Sequence, residues 1–366
     1  MDLFAVCAPG LEAVLAAELE ALRLKARTVP GGAELEGDLG DLQRMNLWLR
    51  TPTRVLLRLG AFRATTFAEL VRKAARLPFE TVVARGQPIS WRVTCRKSRL
   101  YHSGAVAQRL HAALEERVGE TVPVADADEE AAQPPQLLLA RFDHDVCTVS
   151  ADSSGALLHR RGYRLAQSQA PLRETLAAAM LLAARYDGAQ PLLDPLCGAG
   201  TIPIEAALIA RRRAPGLGRE FAFQRWRGYD AGHFEALRAK ASEQELRRAP
   251  ASIAGSDADA GAIAAARDNA QRAGVAADVQ FESVPLRDAR PSAPGPGLIA
   301  TNPPYGVRVR ADLQRLYREL GDLSRRAGYR VASLVPDRQA AQRAGLDWKP
   351  LLRTTNGGLK VELLAN

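Results

Sequence analysis

Apolar positions recur at helical spacing twice in the first 160 residues: Leu11, Val14, Leu15, Leu19 and Leu22 after Pro9 and Gly10, and later Val106, Leu110, Ala113 and Leu114. This period predicts two amphipathic helices. Residues 89 to 95 alternate as a half-buried strand does, and 137 to 140 form a second short apolar run. The acidic, proline-containing stretch 125 to 135 reads as a solvated loop between them. From about residue 165 the pattern becomes strand, tight turn, helix, repeated. Strands are predicted at 191 to 195, 253 to 257, 279 to 284, 298 to 301 and 330 to 335, helices at 202 to 210, 259 to 273 and about 312 to 326, and two further strands at the end. The first part therefore reads as a mixed α+β module and the second as a mostly parallel, doubly wound α/β sheet that takes ligands at the carboxyl ends of its strands.

The length of 366 residues fits two or three domains, and 47% hydrophobic residues exclude collagen and wholesale disorder. Cys7, Cys95, Cys147 and Cys197 lie far apart without a CxxC or a zinc-ligand spacing, so neither a disulfide framework nor a metal site is expected. No basic leader opens the chain and no apolar run approaches ~18 residues, which argues against secretion and membrane spanning and for a reducing, cytoplasmic compartment. The net charge of +9 is unevenly placed. Residues 54 to 117 hold 13 basic and 4 acidic groups, whereas 118 to 152 hold 1 and 8. Such a basic block invites a polyanion. Since 44 of the 50 basic residues are Arg in an Ala-rich chain, a GC-rich genome is the competing explanation.

Three motifs carry chemistry. AspProLeuCysGlyAlaGlyThr, 194 to 201, places Asp194 at a strand end and Gly198 and Gly200 in the turn that follows. Absent Cβ atoms there let a ligand approach the backbone and the helix N-terminus, though a plain tight turn is the alternative. Asp257 ends the next strand, where a carboxylate can accept both hydroxyl protons of a ribose. It lies 57 residues after Gly200, not the ~20 of a nicotinamide site. AsnProProTyr, 302 to 305, follows a buried strand. The Asn302 side-chain oxygen and the Pro303 carbonyl can together take the two protons of an exocyclic amine, and Tyr305 offers a ring for a base to stack on. A rigid structural turn is the alternative reading.

In this order the three motifs resemble the S-adenosylmethionine-dependent amino methyltransferases, a Rossmann-like class I fold with a seven-stranded sheet. The resemblance implies S-adenosylmethionine over Asp194, Pro195, Cys197, Gly198, Gly200 and Thr201, its ribose on Asp257, and the target amine on Asn302 and Pro303 with Tyr305 beside it. LysSerArgLeuTyrHisSer at 97 to 103 is similar to the signature of THUMP modules, which bind RNA. ProGlyLeuGlu (9 to 12), HisArgArgGlyTyrArg (159 to 164), AlaProLeuArgGluThrLeuAlaAlaAla (170 to 179), ArgAlaProGlyLeu (213 to 217) and AsnGlyGlyLeu (356 to 359) resemble the THUMP-bearing guanine-N2 methyltransferases of 23S ribosomal RNA, the RlmL family.

That resemblance implies a ferredoxin-like part at 1 to 55, a THUMP domain at 56 to 155 and a methyltransferase domain at 156 to 366. Against the fused form of some bacteria, the second methyltransferase is expected to be absent. Where the family commonly has an acidic residue for the adenine amino group this chain has Pro285, so Asp288 is the expected substitute.

The interposed stretch 211 to 234 carries Arg211, Arg212, Arg213 and Arg225 among Phe221, Phe223, Trp226 and Tyr229. Interleaved guanidinium and aromatic groups suit unpaired RNA, and with Lys97 and Arg99 these four are the expected RNA contacts. A packed aromatic insert with a solvated Arg face is the alternative, and at least two of the rings are expected in the core. Guanine-N2 methylation of tRNA, adenine-N6 methylation of DNA and a non-catalytic RNA-binding assembly factor are the competing functions.

Overall fold

The computed structural model describes residues 1 to 126, 134 to 164, 172 to 304 and 310 to 366. Its first half is built on a seven-stranded sheet of β1 (Asp2–Val6), β2 (Arg27–Val29), β3 (Gly32–Glu36), β4 (Arg54–Arg63), β5 (Ile89–Arg96), β6 (Gln136–Asp143) and β7 (Val146–Asp152), in the order β2-β3-β1-β4-β7-β6-β5. Neighbours are antiparallel except β5 and β6, which run parallel. Both helices read from the periodicity form, at Glu12–Ala21 and Ser103–Val118, and bury the Leu15/Leu19 and Val106/Leu110/Ala113/Leu114 positions that defined them. β4 is hydrogen-bonded to β1 on one side and β7 on the other, so the domain boundary expected between 55 and 56 falls inside a shared strand. Much of the acidic stretch, 127 to 133, lies outside the described residues.

The second half carries β8 (Leu192–Asp194), β9 (Ile253–Asp257), β10 (Val279–Ser283), β11 (Gly297–Thr301), β12 (Tyr329–Val335), β13 (Lys349–Asn356) and β14 (Leu359–Ala365), ordered β10-β9-β8-β11-β12-β14-β13. The first five run parallel, while β14 is antiparallel to both β12 and β13, so the sheet is mixed.

Alternation along the strands divides the core. Leu192, Ile253, Leu298 and Leu363 join a core that continues into the first half, whereas Leu193, Ala254, Ile299 and Leu364 pack with Tyr317, Leu320 and Leu323 on the other face. Helix Thr201–Ala210 is buried at all ten positions, and Arg50 of the first half donates to the carbonyls of Leu208 (3.4 Å) and Arg213 (2.6 Å) behind it. Successive connections leave β8 toward β9 on one side and β11 on the other, which opens a crevice at their carboxyl ends.

Candidate functional site

Three motifs meet at that crevice. Asp194 ends β8 and is 1% exposed. Burial pushes its carboxyl up to about 7, partly offset by the neighbouring Thr301 hydroxyl and by a 3.2 Å hydrogen bond from the Leu196 amide, and reinforced by the Asp257 charge. The turn that follows is tied to β9 twice: the Cys197 amide donates to the Ser256 carbonyl at 2.9 Å, and the Gly198 amide to Asp257 Oδ2 at 2.9 Å. The other Asp257 oxygen accepts from the Asp259 amide at 3.0 Å. Two backbone donors therefore fix the carboxylate at the crevice, with lone pairs left for a ribose. Asp259 is the N-cap of helix Ala260–Arg272.

The two glycines do different work. Gly200 has φ +82°, and a Cβ there would fall 2.9 Å from Ala266 Cβ and 3.0 Å from the Phe281 ring, so it allows the turn to pack on helix Ala260–Arg272 and β10. Gly198 has φ +50°, and a Cβ on it would meet nothing within 4 Å. The room is on the ligand side of the turn. Thr201 starts a helix with no side-chain cap and no acidic residue in its first turn, a helix N-terminus suited to an anionic group. Burial, with Asp194 and Asp257 nearby, drives the Cys197 thiol strongly upward, so it stays protonated.

Asn302 and Pro303 follow directly after β11, whose five residues are all buried; Asn302 is half-buried and Pro303 buried. Tyr305 lies outside the described residues. Asp288 does not enter the crevice as a buried acid: its side chain is 59% exposed and pairs with Arg287 at 3.4 Å. Pro195 is buried behind the turn. Among the described residues no group of His, Cys, Asp and Glu is arranged to hold a metal ion, and no helix is long and apolar enough to cross a membrane.

Several supporting residues carry no local signal. Asn269 Nδ2 donates to the Ala199 carbonyl at 2.9 Å and so holds the turn from helix Ala260–Arg272. Arg164 donates to the Thr201 hydroxyl and, at 3.0 Å, to the Leu172 carbonyl. Its neighbour Tyr163 donates to buried Glu205 at 3.2 Å. The 159 to 164 run thus braces the helix that the cofactor turn begins, a role visible only once the chain is folded.

The expected RNA contacts separate into two groups. Lys97 and Arg99 are exposed in the turn after β5, near Tyr101, which is 77% exposed. Arg212 is exposed as well. Arg211, Arg213 and Arg225 instead have partners within the fold. Arg211 bonds Glu245 and reaches Asp278 at 3.4 Å, Arg213 reaches Glu245 at 3.1 Å, and Arg225 donates to the Pro134 carbonyl at 2.8 Å. Their guanidinium groups already have acceptors that RNA phosphates would have to displace. The rings take the other reading: Phe221, Phe223 and Trp226 are buried, with Phe221 and Phe223 stacked at 5.3 Å.

Comparison with known proteins agrees with this geometry. Residues 161–345 match the family model for the RMKL-like methyltransferase domain, and residues 2–56 match the RlmL ferredoxin-like domain. The chain is 36% identical, over 99% of its length, to a ribosomal RNA large subunit methyltransferase K/L of Syntrophotalea carbinolica, of which it spans 53%. It is 33% identical to a putative RNA methyltransferase, slr0064, of Synechocystis, covering 99% of this chain and 95% of that one. Among solved structures, SMU.472, a putative methyltransferase complexed with SAH, superimposes with a TM-score of 0.88 at 30% identity, covering 100% and 97% of the two chains.

Proposed function

The chain belongs to the RMKL-like methyltransferase family, with an RlmL ferredoxin-like domain ahead of the methyltransferase domain, and from that premise we propose that it methylates the exocyclic N2 amine of a guanine in 23S ribosomal RNA. The methyl donor is S-adenosylmethionine. On this reading 56 to 155 is a THUMP module that engages RNA, and 156 to 366 carries the chemistry. The adjacency of Asp257, the Gly198 turn and Asn302 on neighbouring strands supports the reading most directly.

The bound cofactor supplies an electrophilic methyl group on a sulfonium. The residues present fit it: open space at Gly198, uncapped amides at Thr201 for a carboxylate, and an oriented acid at Asp257 for a ribose. Asn302 and Pro303 take the two protons of the guanine amine and leave its lone pair free, and Tyr305 gives the base a stacking surface. The chain's contribution is positioning. The protonated Cys197 thiol is no nucleophile, so no covalent enzyme intermediate is required. A guanine within a helix has to be extruded or met in partly unfolded RNA.

Tritiated-methyl transfer to under-methylated 23S ribosomal RNA, tRNA and DNA tests the assignment. Label in ribosomal RNA that maps to N2-methylguanosine is expected. Label in tRNA alone sinks the ribosomal reading, and cofactor binding with no label on any substrate favours a non-catalytic factor.

A further inference from the structure

The helix that the cofactor turn begins has a cation held on its first residue. Arg164 Nη2 donates to the Thr201 hydroxyl and, at 3.0 Å, to the Leu172 carbonyl. Arg164 Nε lies 3.7 Å from the carboxyl of Glu174, and the side chain is 11% exposed. Glu174 opens helix Glu174–Ala183, so two helices, this one and Thr201–Ala210, start beside one guanidinium. The backbone next to it is tied to the turn as well. The Tyr163 carbonyl accepts from Arg272 Nε at 2.7 Å, and Arg272 Nη2 donates at 2.6 Å to Asn269, the residue that holds the Ala199 carbonyl.

The donors of Arg164 are not all matched. A guanidinium carries five N–H groups. Nη2 gives its two to Leu172 and Thr201, and Nε is sealed without a hydrogen bond. Nη1 has no acceptor among the described residues and is not one of the sealed atoms, so both its donors open on accessible space.

Its charge is weakly matched too. Burial raises the Glu174 carboxyl in spite of Arg164, which makes that acid a poor counterion. Glu205, the other acid on this side, is engaged by Arg161 at 3.6 Å and by the Tyr163 hydroxyl at 3.2 Å. His159 is pushed down to about 4 by burial and then by the charges of Arg173, Arg160, Arg161 and Arg164, as a locally positive potential requires. An anion that meets an accessible guanidinium beside a helix N-terminus gains from both the charge and the N–H groups.

The order of groups along the sheet edge says which anion. With the ribose assigned to Asp257 at the end of β9 and the amine to Asn302 after β11, the start of the helix after β8 is left for the amino-acid end of the cofactor. We infer that Arg164 is the counterion of the cofactor's α-carboxylate, fixed by Leu172 and Thr201 so that Nη1 and the first amides of helix Thr201–Ala210 receive that group together. The inference rests on the S-adenosylmethionine assignment made above and not on which RNA is methylated. It gives the 159 to 164 run a part in ligand selection beyond bracing the helix.

The test uses the full chain without RNA and two ligands that share an adenosine and a thioether: S-adenosylhomocysteine, which has the amino-acid tail, and methylthioadenosine, which lacks it. In calorimetric titrations Arg164→Gln, which keeps a donor but removes the charge, should weaken S-adenosylhomocysteine roughly tenfold or more and methylthioadenosine less than about twofold. Arg164→Lys, which restores a charge, should recover part of the first affinity and leave the second where it was. Melting temperatures of the ligand-free variants report folding. Equal weakening of both ligands overturns the assignment and reduces Arg164 to a brace, as does an S-adenosylhomocysteine affinity within about twofold of wild type in a folded Arg164→Gln chain. Weakened RNA binding with S-adenosylhomocysteine binding unchanged gives the cation to phosphate and overturns it equally. A chain that shows the selective loss yet transfers no methyl group to ribosomal RNA overturns the ribosomal reading while the carboxylate assignment stands.

Discussion

The Asp257 carboxylate on β9 accepts a 2.9 Å hydrogen bond from the amide of Gly198, so one side chain both shapes the turn after β8 and faces the space beside it. Asp257→Ala should then weaken S-adenosylhomocysteine binding roughly 10- to 100-fold, because hydrogen bonds to a charged group are worth about 1.5 to 3 kcal/mol. Isothermal titration provides the check. Unchanged affinity with a lowered melting temperature would show that Asp257 only clamps the turn.

Gly198 and Gly200, two residues apart, should fail differently when given a methyl group. Gly200→Ala forces a Cβ to 2.9 Å from Ala266 at φ +82° and should destabilise the fold by about 1 to 3 kcal/mol. Gly198→Ala meets no protein atom within 4 Å, so its stability should fall less while cofactor affinity falls more. Melting curves and titrations on both variants give the comparison, and a reversed order would place the ligand elsewhere.

The parts of this site legible in the sequence are those set by local geometry. A glycine turn between a short apolar strand and a helix, an acid at a strand end and a proline-stiffened turn each declare themselves within eight residues, and all three lie at one sheet edge. What stayed hidden depends on distant partners. Arg211 reads as an RNA contact by composition, but Glu245 and Asp278, 34 and 67 residues away, occupy its guanidinium. Arg164 reads only as part of a resemblance until its contact with Thr201, 37 residues on, shows it bracing the cofactor helix. The first sheet was also less legible, because β4 contains a register shift between Arg58 and Gly60 that breaks the alternation strand reading relies on.

Asn302→Ala should abolish most methyl transfer while cofactor affinity stays within a few-fold of wild type, since the side chain is assigned to the amine. General acceptor positioning of this kind is typically worth ~10² or more in turnover. Single-turnover transfer and titration separate the two effects. Equal loss of both would make Asn302 a structural residue of the turn.

Asp194 predicts a pH dependence with a definite sign. Its carboxyl is raised to about 7 in the fold by burial, whereas an unfolded Asp ionises near ~3.9. Between about 4 and 7 the folded chain holds a proton that the unfolded chain releases, so this group's contribution to stability falls as pH rises and is fully lost above about 7. Asp194→Asn removes that titration. The melting temperature of the cofactor-free variant, relative to wild type, should climb from pH 5 to pH 8. A constant difference would mean that Asp194 is ionised throughout.

The two groups of basic residues should separate by what their loss does to the molecule. Lys97 and Arg99 are exposed after β5, and their joint replacement by Ala should leave the melting temperature within error while lowering RNA affinity. If both meet phosphates of a single strand, the slope of log affinity against log salt should decrease in magnitude by roughly 0.7 per contact. Arg211 instead joins Glu245, Asp278 and two carbonyls across a partly buried junction. Arg211→Ala leaves those acceptors without their cation, so it should destabilise the fold by about 1 to 3 kcal/mol. Its salt slope on RNA should stay that of wild type, because a guanidinium that never met phosphate releases no counterion when it is removed. A changed slope at Arg211 with unchanged melting would return that residue to the RNA face.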